Sequence, residues 1–155
     1  MSGKFDSRHP LAGLSDELIR LSGRLKSVFA GARRPAGLGD SELAVLNAVV
    51  ESDRPPTVPQ IGRSFGQPHQ IIQRAANSLV EAGLIETLPN PDHKRAVLLR
   101  ATPEGTALKR ELDGRADAIA AELAKGIDAD EIRKAAAALG AIRRQLEMRL
   151  REGEA

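Results

Sequence analysis

The sequence predicts a mainly α-helical fold that contains one small β-hairpin, and three observations support this prediction. Apolar residues recur at helical spacing over most of the 155 residues. Two shorter helical segments follow the helix-breaking pair Pro55-Pro56 and meet at Gly66. Two short apolar segments then flank the polar sequence PNPDHKR, which is typical of a hairpin with a protruding turn.

The composition is that of a globular protein and excludes several kinds of function. Hydrophobic residues make up 41% of the chain, charged residues 28%, and the formal net charge is +2. Because the chain has no Cys, we expect no disulfides, thiolate metal sites or cysteine redox sensing. Its aromatic residues are three Phe, with no Trp or Tyr, which disfavours the base-stacking platforms of RNA and single-strand readers.

The sequence also predicts where the protein works. No apolar run approaches the ~20 residues that a membrane span needs, and the first residues lack the apolar core of a signal peptide. We therefore expect a cytoplasmic protein that does not interact with membranes.

The first part of the chain predicts two helices after a flexible start at residues 1–10. Leucines and Val28 recur every three or four residues over 11–30, and Gly31 together with Arg33-Arg34-Pro35 is expected to end that helix. A second helix is predicted over about 39–52, with apolar residues facing inward. These inward residues are Leu43, Leu46, Val49 and Val50.

The central segment predicts a winged helix-turn-helix, a module that places one helix in the major groove of DNA. A short helix over 58–65 ends at Gly66, and a second helix follows over 68–82. Apolar segments at 84–88 and 96–101 then form the hairpin, or wing. The inner face of the second helix is apolar and consists of Ile72, Ala75, Ala76 and Leu79.

Two further amphipathic helices are predicted at the end of the chain, over 103–125 and 128–151. Thr102-Pro103-Glu104 has the pattern of a helix start, and Asp128 with Glu131 forms a plausible capping box. A winged helix does not need these helices, or the one at 11–30, for its own core. Their apolar stripes either pack on the winged helix within one chain or pair with a second copy, and we favour the second copy.

The predicted organisation is therefore a flexible start at 1–10, a helix contributing to dimerisation at 11–34, a DNA-binding winged helix-turn-helix at 35–102, and dimerisation helices at 103–155. This fold class is mainly α, with N- and C-terminal dimerisation helices around a winged domain.

The outward face of helix 68–82 is the candidate DNA-reading surface. Gln can bond to adenine and Arg to guanine or phosphate, and no acidic residue occurs from Gly66 to Ser78. The alternative is an ordinary solvated polar face. Ile71 either touches a thymine methyl group or packs under the wing. The candidate contacts on this helix are His69, Gln70, Gln73, Arg74 and Asn77.

Over residues 11–150 the chain resembles the MarR family of bacterial transcriptional regulators. The resemblance rests on three blocks in order, LGDSELAVLNAVV, VPQIGRSFGQPHQIIQRAANSLVEAGLI and NPDHKRAVLLRATPEG. It implies an obligate homodimer whose terminal helices form the interface. Two winged helices would reach adjacent major grooves of a pseudo-palindromic operator, and many members bind small aromatic or phenolic effectors.

The resemblance also assigns roles in the wing, where His93, Lys94 and Arg95 are candidate DNA contacts. Arg95 has the position that inserts into the minor groove in this family, and the alternative is a solvated charged turn. Family wings commonly carry Asp two residues before that arginine, where this chain has His93. Asp92 lies one place earlier, and its ability to orient Arg95 is an open question.

In the family a ligand pocket lies among the first, second and fifth helices, near Arg20, Arg24, Leu43 and Leu46. Arg20 and Arg24 are one helical turn apart and could hold a carboxylate, or could face solvent or DNA. We predict no metal site, because the three His are far apart in the sequence and no metal-binding spacing occurs. We also predict no cofactor and no enzymatic activity, since no phosphate loop, nucleophile motif or acid–base pair is found.

Together these features predict a sequence-specific regulator that binds double-stranded DNA as a homodimer, most plausibly a ligand-responsive repressor. The alternative is a winged helix used for protein contacts or small-molecule binding, without a direct role on DNA.

Overall fold

The computed structural model describes residues 9–153 and contains six α-helices, one 3-10 turn and two strands in that part of the chain. The predicted flexible start at 1–10 therefore lies mostly outside the described residues. In chain order the elements are α1 (Pro10–Arg33), the 3-10 turn (Arg34–Ala36), α2 (Asp40–Glu51), α3 (Val58–Phe65), α4 (His69–Glu81), β1 (Ile85–Leu88), β2 (Leu98–Ala101), α5 (Pro103–Leu123) and α6 (Ala129–Gly153). The predicted fold class, mainly α with one hairpin, is confirmed.

Helix α1 is longer than the sequence predicted. It passes through Gly31 and ends at Arg33, where the chain tightens into the 3-10 turn. Pro35 lacks an N–H and cannot continue the helical hydrogen-bond ladder, whereas Gly31 has a negative φ and leaves the helix intact. Gly37 then reverses the chain with a φ of 63°. The predicted stop at Arg33-Arg34-Pro35 is confirmed, and the part of the prediction that assigned the stop to Gly31 was wrong.

The helix-turn-helix is formed by α3 and α4. Thr57 caps α3, since its Oγ1 accepts a hydrogen bond from the Gln60 amide at 3.4 Å while Gln60 Oε1 accepts one from the Thr57 amide at 2.9 Å. Gly66 ends α3 with a φ of 60°, a left-handed conformation that favours glycine. Pro68 precedes α4 as its N-cap residue.

The core lies between α2, α3, α4 and the hairpin. The predicted inner face of α4 is confirmed, because Ile72, Ala75, Ala76 and Leu79 are all buried. On α2 the buried residues are Val45, Leu46 and Val49, whereas the predicted inward residues Leu43 and Val50 are only half-buried. The largest fully buried side chains are Leu46, Ile72, Leu79, Ile85, Leu99 and Val45.

The wing is a two-stranded antiparallel hairpin in which Ile85 pairs with Ala101 and Leu88 with Leu98. The Leu99 amide donates to the Pro56 carbonyl at 2.8 Å, which ties the wing to the segment before α3. The Thr102 amide donates to the Leu84 carbonyl at 3.1 Å, and α5 begins directly afterwards.

The chain divides into two compact parts, one up to Asp117 and one from Ala118 onward. The first part holds α1 to α4, the wing and most of α5. In the second part α6 has no buried residue, and the stripe predicted on it remains accessible at Ile132, Leu146 and Leu150. Within residues 9–153 no helix is both long and apolar enough to cross a membrane.

Candidate nucleic-acid interface and ligand cavity

Helix α4 presents a polar face opposite its buried one. The side chains of His69, Gln70, Arg74 and Asn77 are exposed, and Gln73 is half-buried. Gln73 Nε2 donates to Asn77 Oδ1 at 2.9 Å, so these two amides are already oriented by each other along the face. Hydrogen-bonded amides of this kind present a fixed pattern of donors and acceptors to a base edge.

The beginning of α4 carries no negative charge. Its first turn has no acidic residue, and Pro68 supplies no side-chain cap. The positive end of the helix dipole and the free amides there favour a phosphate oxygen. Ile71 is 39% exposed on the same helix, and both predicted alternatives for it, contact with a thymine methyl group and packing under the wing, stay predictions.

The tip of the wing is exposed from Asp92 to Arg95. Asn90 Oδ1 accepts a hydrogen bond from the Asp92 amide at 3.0 Å, and His93 Nδ1 accepts one from the Arg95 amide at 3.4 Å. Over the described chain neither Lys94 nor Arg95 has an acidic partner within ion-pair distance, and the Arg95 amide donates to His93 and not to Asp92. In this structure the backbone of Arg95 is therefore held by His93, the residue that departs from the family pattern.

A charged contact connects α4 to α2, and the sequence analysis missed it. Glu42 Oε1 accepts a hydrogen bond from Ser78 Oγ on α4, and Glu42 Oε2 accepts one from the Gly39 amide at 2.7 Å. The bond from Ser78, which has the larger effect, and the bond from the Gly39 amide lower the pKa of Glu42 below its ordinary value of 4.5. The residues are 36 positions apart in the sequence, and no periodicity links them.

A cavity of about 380 Å³ lies among α1, α2 and α5. Its apolar wall includes Phe29, Phe65, Leu43 and Leu112, so two of the three Phe of the chain line it. Its polar residues are Lys26, Arg33, Asp40, Asn47, Lys109 and Asp113. An apolar wall with a few charged groups is the usual lining of a small-molecule site.

The charges at the cavity are paired with one another. Lys26 Nζ lies 3.0 Å from Asp40 Oδ2, and Arg33 lies 3.2 Å from Asp40 Oδ1. The hydrogen bond and charge of Lys26, and then the charge of Arg33, hold the pKa of Asp40 below its ordinary value. Two cations of α1 thus converge on one carboxylate at the start of α2.

Lys109 is the buried cation of the cavity. It contacts Asp113 on its own helix and lies 3.4 Å from Glu51 Oε1 at the end of α2. Burial alone would lower the pKa of Lys109, but the hydrogen bonds and charges of Asp113 and Glu51 outweigh it and raise the pKa. The ammonium group therefore stays charged.

The structure brings together only part of the ligand site predicted from the sequence. Leu43 lines the cavity, whereas Leu46 is fully buried in the core of the winged helix. Arg20 and Arg24 are exposed on α1, and Arg20 lies 3.8 Å from Glu17. Lys26 and Arg33, further along α1, line the cavity instead. The sequence signal was the acid-free run of cations on this helix, which did not indicate which cations face inward.

Comparison with known proteins identifies the family. Residues 36–96 match the sequence profile of the MarR family. The chain is also 37% identical over 123 residues to an uncharacterized protein of Mycobacterium tuberculosis, an alignment that covers 74% of this chain and 84% of that protein. The chain belongs to the MarR family. Members of this family are DNA-binding transcription regulators that respond to ligands, and they are not enzymes.

Solved structures of MarR-family and related regulators share the fold. A MarR-family regulator from Rhodococcus sp. RHA1 superposes with a TM-score of 0.77 at 23% identity, covering 88% of this chain and 96% of that one. CouR from Rhodococcus jostii RHA1, bound to p-coumaroyl-CoA, gives 0.74 at 22% identity, covering 92% and 96%. NadR, in complex with 4-hydroxyphenylacetate, gives 0.77 at 16% identity, covering 92% and 98%.

Proposed function

We propose that this protein is a homodimeric repressor that binds a pseudo-palindromic operator in double-stranded DNA and is released from it by a small anionic aromatic effector. The repressor acts on DNA in the cytoplasm. The observation that carries the proposal is the polar outward face of α4, which has no acidic residue from His69 to Ser78, together with a wing tip whose Lys94 and Arg95 have no acidic partner in the described chain.

The DNA contacts divide into two groups. On α4, Gln70, Gln73, Arg74 and Asn77 read base edges in the major groove, while His69 near the helix start contacts phosphate. On the wing, Arg95 enters the minor groove, and His93 and Lys94 contact the backbone beside it. Because Arg95 is not neutralised by a neighbouring acid, its charge is available to the DNA.

The dimer is supported by apolar side chains that the single chain leaves in water. On α1 these include Leu18, Leu21 and Leu25, and on α6 they include Ile132, Leu146 and Leu150, each at least 38% exposed. Stripes of this kind mark interaction surfaces. Pairing with a second copy places two recognition helices about one helical turn, ~10 bp, apart on the operator.

The effector class follows from the cavity among α1, α2 and α5. Phe29 and Phe65 suit an aromatic ring, and Lys26, Arg33 and Lys109 suit a carboxylate. The structure of NadR with 4-hydroxyphenylacetate, a small aromatic carboxylate, supports the same class, and the p-coumaroyl-CoA bound to CouR shares its phenolic ring.

The test is a duplex-DNA selection with the purified protein, followed by fluorescence anisotropy on the selected site. Affinity should fall steeply as salt rises from about 50 mM to about 200 mM, because phosphate contacts release counterions. Arg95→Ala should weaken binding about tenfold or more, equivalent to about 1.4 kcal/mol.

Arg115→Ala is the matched control, since Arg115 pairs with Glu111 on α5 and its loss changes the net charge by the same amount. Selection of no duplex site, or equal effects of both arginine variants, would count against a DNA-binding role. Tight binding of a protein partner that ignores Arg95→Ala would instead support a winged helix used for protein contacts.

A further inference from the structure

We propose that Glu42 is a positioning residue for the recognition helix, and that the first turn of α2 transmits the occupancy of the cavity to that helix. This inference rests on the proposed function, because it assigns a route between the proposed effector cavity and the proposed DNA-reading surface. It concerns Asp40 and Glu42 in the first turn of α2, and Ser78 on α4, which donates a hydrogen bond to Glu42.

The first turn of α2 faces two ways. Asp40 and Glu42 are two positions apart, so their side chains leave the helix about 200° from each other. Asp40 lies at the cavity between Lys26 and Arg33, and Glu42 reaches Ser78 on α4. One short segment therefore touches both the cavity and the recognition helix.

Glu42 makes the connection rigid because its two oxygens have separate tasks. One oxygen accepts from the Gly39 amide at 2.7 Å and closes the first turn of α2, and the other accepts from Ser78 Oγ. If the turn shifts, the carboxylate shifts with it and Ser78 must follow or lose its bond. Ser78 lies one helical turn after Arg74, on the neighbouring line of the helix surface, so the bond acts beside the DNA-reading face.

At the cavity, the route begins with Lys26 and Arg33, for which Asp40 and the carboxylate of an effector compete. In this structure Asp40 pairs with both cations, and its single negative charge offsets only one of their two positive charges. A carboxylate entering the cavity offers the same charge and the same oxygen acceptors, so it competes with Asp40 for these partners. Asp40 is then free to leave, and the first turn of α2 loses its attachment to α1.

The first test is a double-mutant cycle between Asp40→Asn, which imitates the loss of the α1 ion pairs, and Ser78→Ala, which cuts the bond to Glu42. Each single variant should weaken operator binding about threefold to tenfold, the range expected for an ordinary hydrogen bond on an exposed surface. The double variant should bind the operator as tightly as the single variant of lower affinity, because both substitutions interrupt the same route. Ser78→Thr keeps the hydroxyl and should restore binding.

Matched controls separate this effect from general damage. Asp130→Asn removes an aspartate–arginine pair on α6, and Ser64→Ala removes an exposed hydroxyl from α3. Both should bind the operator like the wild type. Glu42→Gln, which keeps the shape but removes the charge and one of the two acceptor oxygens, should resemble Ser78→Ala in operator affinity.

The second readout does not require DNA. Hydrogen exchange of the α4 amides in the free protein should become faster in Asp40→Asn, and this change should be absent when Ser78→Ala is already present. Additive effects of the two substitutions, or unchanged α4 exchange in Asp40→Asn, overturn the inference. If the wild type binds no duplex DNA the proposed function fails, and the exchange experiment still decides whether the first turn of α2 is coupled to α4.

Discussion

At the scale of single residues, Gly105 determines how closely α5 approaches the wing. A Cβ at this position would lie 1.9 Å from the carbonyl oxygen of Leu84, far inside any allowed contact. That oxygen already accepts the Thr102 amide, which fixes the chain at the start of α5. The absence of a side chain therefore allows the wing and α5 to pack with their backbones in contact.

We expect Gly105→Ala to lower the free energy of unfolding by about 3 kcal/mol or more, since the clash is with backbone and not with a flexible side chain. Urea denaturation followed by circular dichroism measures this change. Gly114→Ala is the control on the same helix, because a Cβ there meets nothing within 4 Å. It should raise stability by up to about 1 kcal/mol through helix propensity. Equal effects of the two variants would show that the close approach is not required.

At the scale of elements, the first turn of α2 is held by two carboxylates whose pKa values both lie below the ordinary ones. Lys26 is the main cause for Asp40, and Ser78 is the main cause for Glu42. A lowered pKa in the folded state means that the unfolded chain binds protons first as the solution is acidified. The stabilisation from these groups is complete above the ordinary values and is lost as the pH falls through the lowered ones.

We therefore expect the free energy of unfolding to decrease as the pH falls below 4.5, the ordinary pKa of Glu42, and to decrease further below 3.8, that of Asp40. Glu42→Gln should make the free energy of unfolding decrease less at acid pH, because the side chain at position 42 no longer titrates. Ser78→Ala should shift the loss of stability to higher pH, since it removes the hydrogen bond that lowers the pKa of Glu42. Urea denaturation between about pH 3 and pH 7 measures both, with Ser64→Ala as the control. Identical pH curves for all variants would contradict the assignment.

At the scale of the whole molecule, the apolar stripes of α1 and α6 require a partner if they are to leave water. Leu150 is 69% exposed and Ile19 is 70% exposed in the single chain. Side chains of this size stabilise an assembly by about 1.5–3 kcal/mol each when they are fully buried. The proposed homodimer would supply that burial and also the two recognition helices that the proposed palindromic operator requires.

We expect the double substitution of Leu146 and Leu150 by Glu to convert a dimer into a monomer, because it places charges in the apolar interface. Light scattering after size-exclusion chromatography measures the mass, and anisotropy on the selected operator should show that binding is lost. Lys134→Glu changes a residue on the opposite side of α6 and should leave a dimer that binds DNA. A wild type that runs as a monomer while still binding a palindromic site would contradict the proposed assembly.

Local patterns in the sequence were enough to predict the order of the elements and the buried face of α4. Helical spacing identified Ile72, Ala75, Ala76 and Leu79, and local signals such as Gly66 and the Thr102-Pro103-Glu104 start marked the ends of helices. These features depend on neighbours within about one helical turn, so a single sequence contains them. Of the two stop signals predicted for α1, Arg33-Arg34-Pro35 ends the helix, whereas Gly31 does not, because glycine is tolerated inside a helix.

Only the tertiary structure decided which polar groups meet. Glu42 and Ser78, Asp40 and Lys26, and Lys109 and Glu51 are far apart in the chain, and their pairing depends on how the helices pack. The residues that line the cavity differ from the predicted ones for the same reason. Lys26 and Arg33 of α1 line it, whereas Arg20 and Arg24 are exposed. A periodic pattern shows that a helix has a charged face, but the partner of each charge is set by contacts between elements.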